Sequence, residues 1–123
     1  MQRRHIAIAA LGLALAPWAF AQTAPTSFPN KPVRLVVTYP PGGTVDAVAR
    51  ILGPKLSELW KQPVVIENRA GGGGIIGAQA VLGSPADGYT LMVDASNHAQ
   101  NPALKAQMPF DTLKDFAPIS LMI

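Results

Sequence analysis

The run Val33-Arg34-Leu35-Val36-Val37-Thr38-Tyr39, stopped at once by Pro40-Pro41-Gly42-Gly43, constrains this chain more than any other feature. A stretch this rich in β-branched and apolar residues, with no regular alternation, is the pattern of a strand covered on both faces, which belongs inside a parallel sheet. Two prolines and two glycines then remove backbone donors and admit a sharp turn. From Val45 onward the apolar residues Val48, Ala49, Leu52, Leu56, Leu59 and Trp60 recur at steps of three and four, the period of an amphipathic helix. Gly43 or Thr44 stands at the cap position, and Asp46 puts a negative charge into the positive first turn. Pro54 removes one backbone donor inside this helix and predicts a bend.

The alternation repeats. Val64 to Glu67 predicts a second strand, Asn68 to Gly74 a glycine-rich loop, Ile75 to Leu82 a short helix, and Tyr89 to Ala95 a third strand. A polar loop is expected over Ser96-Asn97-His98-Ala99-Gln100-Asn101-Pro102, followed by a short helical stretch from Asp111 to Phe116 and a fourth strand beginning in Phe116 to Ile123. Strand, helix, strand, helix, strand is the signature of an α/β fold, a parallel sheet with flanking helices and right-handed crossovers. No internal repeat is present, and the one low-complexity patch is Gly71 to Gly74.

The first 21 residues read as a secretory signal peptide. Arg3, Arg4 and His5 form a basic start, Ile6 to Ala16 an uncharged core too short for a comfortable membrane span, and Ala19-Phe20-Ala21 a small-x-small cleavage site. The expected division is a signal peptide over 1–21, an extended leader over 22–32, and an α/β domain over 33–123. Cleavage makes the mature start Gln22, and the compartment the periplasm. The twin arginines leave the twin-arginine route open beside the general secretory route. A chain that stops on the apolar run Phe116 to Ile123 predicts a truncated domain, with an open sheet edge and poor folding in isolation.

Losing Arg3 and Arg4 leaves eight basic side chains against seven acidic ones, a net charge of +1, so the high whole-chain pI misleads. Such a balance gives no electrostatic footprint for nucleic acid or an anionic membrane. The absence of cysteine excludes disulfides, thiolate metal sites and a cysteine nucleophile. Once His5 leaves with the signal, His98 is the single histidine, so no two-histidine metal site can form. Neither a Gly-x-Ser-x-Gly elbow nor a Gly-Lys-Ser/Thr loop is present, so no catalytic residue and no metal ligand is expected.

Ligands of open parallel sheets bind beyond the carboxyl ends of the strands. Here those ends are the loops Pro40 to Asp46, Asn68 to Gly74 and Ser96 to Asn101. In the first, Gly42 and Gly43 let backbone approach a ligand, and the amides opening the next helix suit a carboxylate without any Arg or Lys. The same residues also fit a plain tight connection. Gly72-x-Gly74-x-x-Gly77 formally matches the dinucleotide fingerprint, with Asp94 ending the next strand. Glu67-Asn68-Arg69 separates that strand from the glycines, so a loop that lets the helix pack closely on the sheet is the preferred reading, with no cofactor. His98 is either a loop residue bonded to backbone or a ligand contact. Asp46 reads as a cap that orients its loop, and Arg69, Asp87 and Asp94 as solvated or turn charges.

Five segments in order resemble one family. They are Phe28-Pro29-Asn30-Lys31-Pro32-Val33-Arg34, Tyr39-Pro40-Pro41-Gly42-Gly43-Thr44-Val45-Asp46, Val65-Ile66-Glu67-Asn68-Arg69-Ala70-Gly71-Gly72-Gly73, Pro85-Ala86-Asp87-Gly88-Tyr89-Thr90-Leu91, and Asn101-Pro102-Ala103-Leu104 with Lys114-Asp115-Phe116-Ala117-Pro118. Together they are similar to the receptors of tripartite tricarboxylate transporters, the Bug family. The resemblance implies a two-domain, type II periplasmic-binding-protein fold, of which the first part of one domain is present, closing on a small organic acid. It implies a binding protein rather than an enzyme, monomeric when full length, that hands a di- or tricarboxylate, an amino acid or a related acid to membrane permease subunits. Pro41, Gly42, Gly43, Thr44, Asp46, Ser96, Asn97 and His98 are the ligand-binding residues it implies. Ile75, Asn97 and Gln100 depart from the family pattern and leave the ligand's identity open. An exported α/β enzyme and a solute sensor for a signalling partner are the competing functions.

Overall fold

The first strand, β1 (Val33–Val37), lies between two parallel neighbours, β2 (Val64–Asn68) and β3 (Thr90–Val93), in the order β2-β1-β3. The computed structural model describes residues 27–122. The register pairs Val33 with Val64 through Val37 with Asn68 on one side, and Arg34 with Thr90 through Val37 with Val93 on the other. A central strand has no solvent edge, so Val33, Leu35, Val36 and Val37 are all buried.

The helices take opposite faces of this sheet. α1 (Thr44–Trp60) connects β1 to β2, and α2 (Ile75–Leu82) carries the chain back across β1 to β3. Right-handed crossovers running in opposite directions along a sheet place their helices on opposite sides. Side-chain alternation agrees. Leu35 and Val37 pack with Ala49 of α1 and with Val93, flanked by Val45, Val64, Ile66 and Leu91. Thr38, one residue out of phase, faces Gly77 of α2. Gly53 brings α1 down on β2, since a Cβ there would meet Ile66 Cδ1 at 3.0 Å.

Gly43, in extended conformation, caps α1, and Thr44 is its first helical residue. The helix runs on past Pro54 and ends at Lys61, whose φ of 56° is left-handed. Glycine holds that conformation without a Cβ penalty. Lys61→Gly is therefore expected to raise stability by about 0.5–1 kcal/mol in urea denaturation, with no change in the steepness of the transition.

Residues 28–31, read as leader, are fastened to the turn before β3. Phe28 stands edge-on to Tyr89 with ring centroids 4.9 Å apart, and the Tyr89 hydroxyl donates to Asn30 Oδ1 at 2.8 Å. The Lys31 ammonium lies 4.2 Å above the Tyr89 ring. The expected signal segment 1–21 lies outside the described residues.

Several expectations are corrected. The polar segment after β3 is a helix, α3 (Asn97–Leu104), rather than a loop. Its polar residues serve tertiary contacts: Asn101 is buried and donates from Nδ2 to Gly73 O at 2.9 Å, across the sheet end. The stretch from Asp111 to Phe116 is one turn, in which Asp111 Oδ1 accepts from the amides of Leu113 and Lys114 at 3.0 and 3.1 Å. Asp111 keeps its carboxyl below the ordinary range mainly through the Leu113 amide. No strand forms between 116 and 122, because among the described residues none pairs with that backbone. β1 stops at Val37 rather than Tyr39, and β3 at Val93 rather than Ala95, the two ends being level in register.

Candidate functional site

The strand order defines where a ligand can enter. The chain leaves β1 toward β2 on one side and returns to β3 on the other, so the switch point of the sheet lies between the carboxyl ends of β1 and β3. A groove of about 190 Å³ opens there, lined by Thr44, Val45 and Val48 of α1, by Val93, Asp94 and Ala95 at the end of β3, and by Met122.

The loop entering α1 is braced by one carboxylate. Asp46 is buried, its side chain only 3% exposed. Its Oδ2 accepts from the Gly42 amide and from Arg50 Nε, both at 2.8 Å, and its Oδ1 accepts from Asn68 Nδ2 at 2.9 Å. The same Asn68 amide donates to Tyr39 O at 3.1 Å, which ties the loop to the end of β2. Arg50, then Gly42 and Asn68, hold the Asp46 carboxyl far below the usual carboxylate range, and Asp46 in turn raises the Arg50 guanidinium. Both oxygens of Asp46 are engaged within the protein, Oδ2 twice and Oδ1 once, and these bonds shape the loop.

The consequence for α1 is electrostatic. The first backbone bond of the helix runs from the Ala47 amide to Gly43 O at 2.9 Å, so the amides of Thr44, Val45 and Asp46 come before the ladder begins. Arg50 offsets the charge of Asp46, and the helix end keeps its own positive field beside the groove. Gly43 has φ −81° and ψ 173°, a conformation open to any residue, and a Cβ there would find only Pro40 O at 3.6 Å. Nothing in the fold requires glycine at that position.

On the opposite wall stands Asp94, read from sequence as a solvated charge and found with its side chain only 7% exposed. Thr38 Oγ1 donates to its Oδ1 at 2.7 Å, and so does the Ala95 amide. Gly74, which opens α2 with φ 94°, approaches so closely that a Cβ would lie 3.0 Å from both carboxylate oxygens. The third glycine of the Gly-x-Gly-x-x-Gly pattern, Gly77, packs on Thr38 and Arg69 O. The pattern thus serves close packing of α2 and Asp94 against the sheet. Burial, and then the charge of Asp94, push the Tyr39 phenol up.

The expected residues fall into two groups. Pro41, Gly42, Gly43, Thr44 and Asp46 lie on the β1–α1 connection, and Thr44 alone of them lines the groove. Ser96 caps α3 through backbone geometry without a side-chain bond, and Asn97 and His98 form its first turn. His98 is neither loop nor backbone-bonded through its ring. It stacks on Phe110 with centroids 6.0 Å apart, stands edge-on to Phe116 at 4.9 Å, and turns Nδ1 to within 3.3 Å of Asp94 Oδ2. Arg69 pairs with Glu67, and Asp87 accepts from the Tyr89 amide at 3.0 Å, which lowers its carboxyl. Sequence reasoning missed Thr38, Asn68 and Asn101, whose partners stand 22 to 56 residues away and leave no local signal. Among the described residues, no cluster of three metal-ligating side chains occurs.

Comparison with known proteins agrees with this architecture. Residues 48–123 match the family described as "Tripartite tricarboxylate transporter family receptor". BugT of Bordetella pertussis is 39% identical over 121 residues, covering 97% of this chain and 37% of that protein. A UPF0065 protein of a Pseudomonas species is 38% identical over 119 residues, 97% of this chain and 35% of its own length. The chain thus spans about a third of the length of the curated relatives it matches. Among solved structures, MatC of Rhodopseudomonas palustris with bound malate superposes with a TM-score of 0.69 at 36% identity, over 74% of this chain and 31% of that one. R. palustris Rpa4515 with adipate gives 0.67 at 40% identity, over 70% and 29%. A parallel sheet flanked by helices, ordered β2-β1-β3 and matched by these binding proteins and by the receptor family over most of its length, shows that the chain belongs to the tripartite tricarboxylate transporter receptors, the Bug proteins, a family of solute-binding proteins rather than enzymes.

Proposed function

We propose that this protein is a periplasmic receptor that captures a small organic acid at the switch-point groove and delivers it to the membrane permease subunits of a tripartite transporter. The observation that carries the reading is the start of α1. Its first-turn amides border the groove, and the one acid in that turn is consumed by Gly42, Arg50 and Asn68. A carboxylate placed there gains charge-assisted hydrogen bonds without a cationic side chain. The malate and adipate bound by two related structures are acids of this kind. Pro41, Gly42, Gly43 and Thr44 would form the anion side of the site, and Ser96, Asn97 and His98 its opposite rim. The basic and apolar start of the chain, with Ala19-Phe20-Ala21, supports export and a mature terminus at Gln22.

Gly43→Val tests the site. The backbone there suits a β-branched residue, so the variant should fold, yet its side chain would stand where a ligand approaches the helix start. Calorimetry with a panel of di- and tricarboxylates should show affinity reduced at least about tenfold, the loss of one charge-assisted bond. Lys55→Ala, on the outer face of α1, should leave it unchanged. Equal affinities for Gly43→Val and the unaltered protein would move the site elsewhere.

A further inference from the structure

Asp94 lines the groove, and the His98 ring stands against its carboxylate. The Asp94 side chain is more than nine-tenths buried, and its two good hydrogen bonds, from the Thr38 hydroxyl and the Ala95 amide, both end on Oδ1. Oδ2 is enclosed and, among the described residues, accepts no aligned hydrogen bond. Gly74 at the head of α2 packs on both oxygens, His98 Nδ1 lies 3.3 Å from Oδ2, and the Tyr39 phenol faces the group at longer range. Among the described residues no lysine or arginine pairs with Asp94, so His98 is the one basic side chain beside it. Phe110 and Phe116 hold the ring there. A buried acceptor left open is costly, and a proton on Nδ1, brought into line by a small turn of the ring, relieves it.

We propose that His98 is a positioning residue: it keeps a proton on Nδ1 for Asp94 Oδ2 and so pins this acid against the start of α2, turned away from an anion in the groove. No group of the ligand has to reach Oδ2. Asp94 is the one acid among the groove's lining residues, and its charge swung toward a bound carboxylate would repel it. Held in place, the same charge faces the positive end of α2 instead. The carboxylate–imidazole contact also fixes which ring nitrogen carries the proton. The effect on binding rests on the groove being the ligand site; the pair itself does not.

Nitrogen-15 NMR of the histidine rings reads that proton directly. The chain has two histidines, so subtracting the spectrum of His98→Asn identifies the His98 signals. At about pH 8, where an ordinary histidine is neutral, Nδ1 should be protonated and Nε2 bare. In Asp94→Asn the pattern should reverse. The Ala95 amide can only donate, so it keeps the new amide oxygen at the Oδ1 place and turns the new nitrogen toward His98, whose Nδ1 must then accept. A bare Nδ1 in the unaltered protein, or a protonated Nδ1 that persists in Asp94→Asn, overturns the proposal.

Two substitutions separate this role from packing. His98→Asn puts an amide nitrogen where Nδ1 stands, whereas His98→Gln, the closer match in size, puts it where Nε2 stands. Calorimetry with the acids that test Gly43→Val should find His98→Asn within about threefold of the parent and His98→Gln weaker by about fivefold or more, the loss of one hydrogen bond. If Gly43→Val weakens binding while His98→Gln binds as the parent does, or better than His98→Asn, the site stands and the role of His98 falls. If none of the acids binds, the groove reading falls, and the spectra alone decide the pair.

Discussion

Gly77→Ala is expected to destabilise the protein by about 2–3 kcal/mol, although it adds one methyl group to a helix and alanine is the better helix former. The methyl would lie 2.7 Å from Thr38 Cγ2, 2.9 Å from Arg69 O and 3.0 Å from Thr38 Cα. Two of these three atoms are backbone, fixed by the end of β1 and by the Arg69 amide, which donates to Val37 O at 2.8 Å. No side-chain rotation relieves the clash, so α2 must lift away from the sheet. Lifting α2 also draws Gly74 from Asp94 and loosens the wall of the groove. Gly83→Ala, at the other end of the same helix, is the control. Gly83 has φ −73°, and its nearest neighbour would be Gln79 O at 3.5 Å, an ordinary contact. That variant should be neutral or stabilised by a few tenths of a kcal/mol. Urea denaturation followed by far-ultraviolet circular dichroism measures both, and a Gly77→Ala protein as stable as its parent would show that α2 does not pack as described.

The pair of glycines also shows what could be read before the fold was known. Punctuation marks the start of both helices, after Gly42-Gly43 and after Gly71 to Gly74, and Gly83 ends α2; the apolar period marks α1, whereas the buried residues of α2 are Gly77 and Ala78. α2 occupies Ile75–Leu82, the range its sequence predicts. The central strand is legible for a related reason: burial on both faces demands an unbroken apolar run. α3 is not legible, because its residues are polar and its stability comes from contacts remote in sequence. Asn101 binds Gly73 O, and His98 packs on Phe110 and Phe116. Polarity normally signals exposure, and here it signals burial with partners. Asp94 reads as a solvated or turn charge on the same ground, its partner Thr38 lying 56 residues earlier. The loops carrying the site can be placed from topology alone, but which side chains face the groove depends on these distant hydrogen bonds.

Asp46→Ala is expected to lower the melting temperature by on the order of 10 °C, the effect of removing a buried carboxylate and the three part-buried hydrogen bonds it accepts. Its removal orphans the Gly42 amide and one donor of Asn68, and it frees Arg50 from the loop. Arg50 is half exposed and Gly42 exposed, so both find water, while the half-buried Asn68 keeps only its bond to Tyr39 O. Asp46→Asn should not rescue much, though an amide keeps one acceptor oxygen. Oδ2 accepts twice and Oδ1 once, so in either orientation the new amide nitrogen confronts a donor. The pH dependence gives the stricter check. Arg50, Gly42 and Asn68 depress the Asp46 carboxyl in the folded protein, so the unfolded chain binds a proton more readily. The stabilisation is then fully present above the unfolded value near ~4 and is lost as pH falls below it toward the folded value. Asp87 and Asp111 are also lowered, so every variant will weaken in acid. The difference between the parent and Asp46→Asn isolates the one group: it should be constant from neutral pH down to about pH 5 and shrink steadily below about pH 4. A difference that stays level through that acid range, measured by thermal unfolding, would mean that Asp46 holds its loop by shape and not by charge.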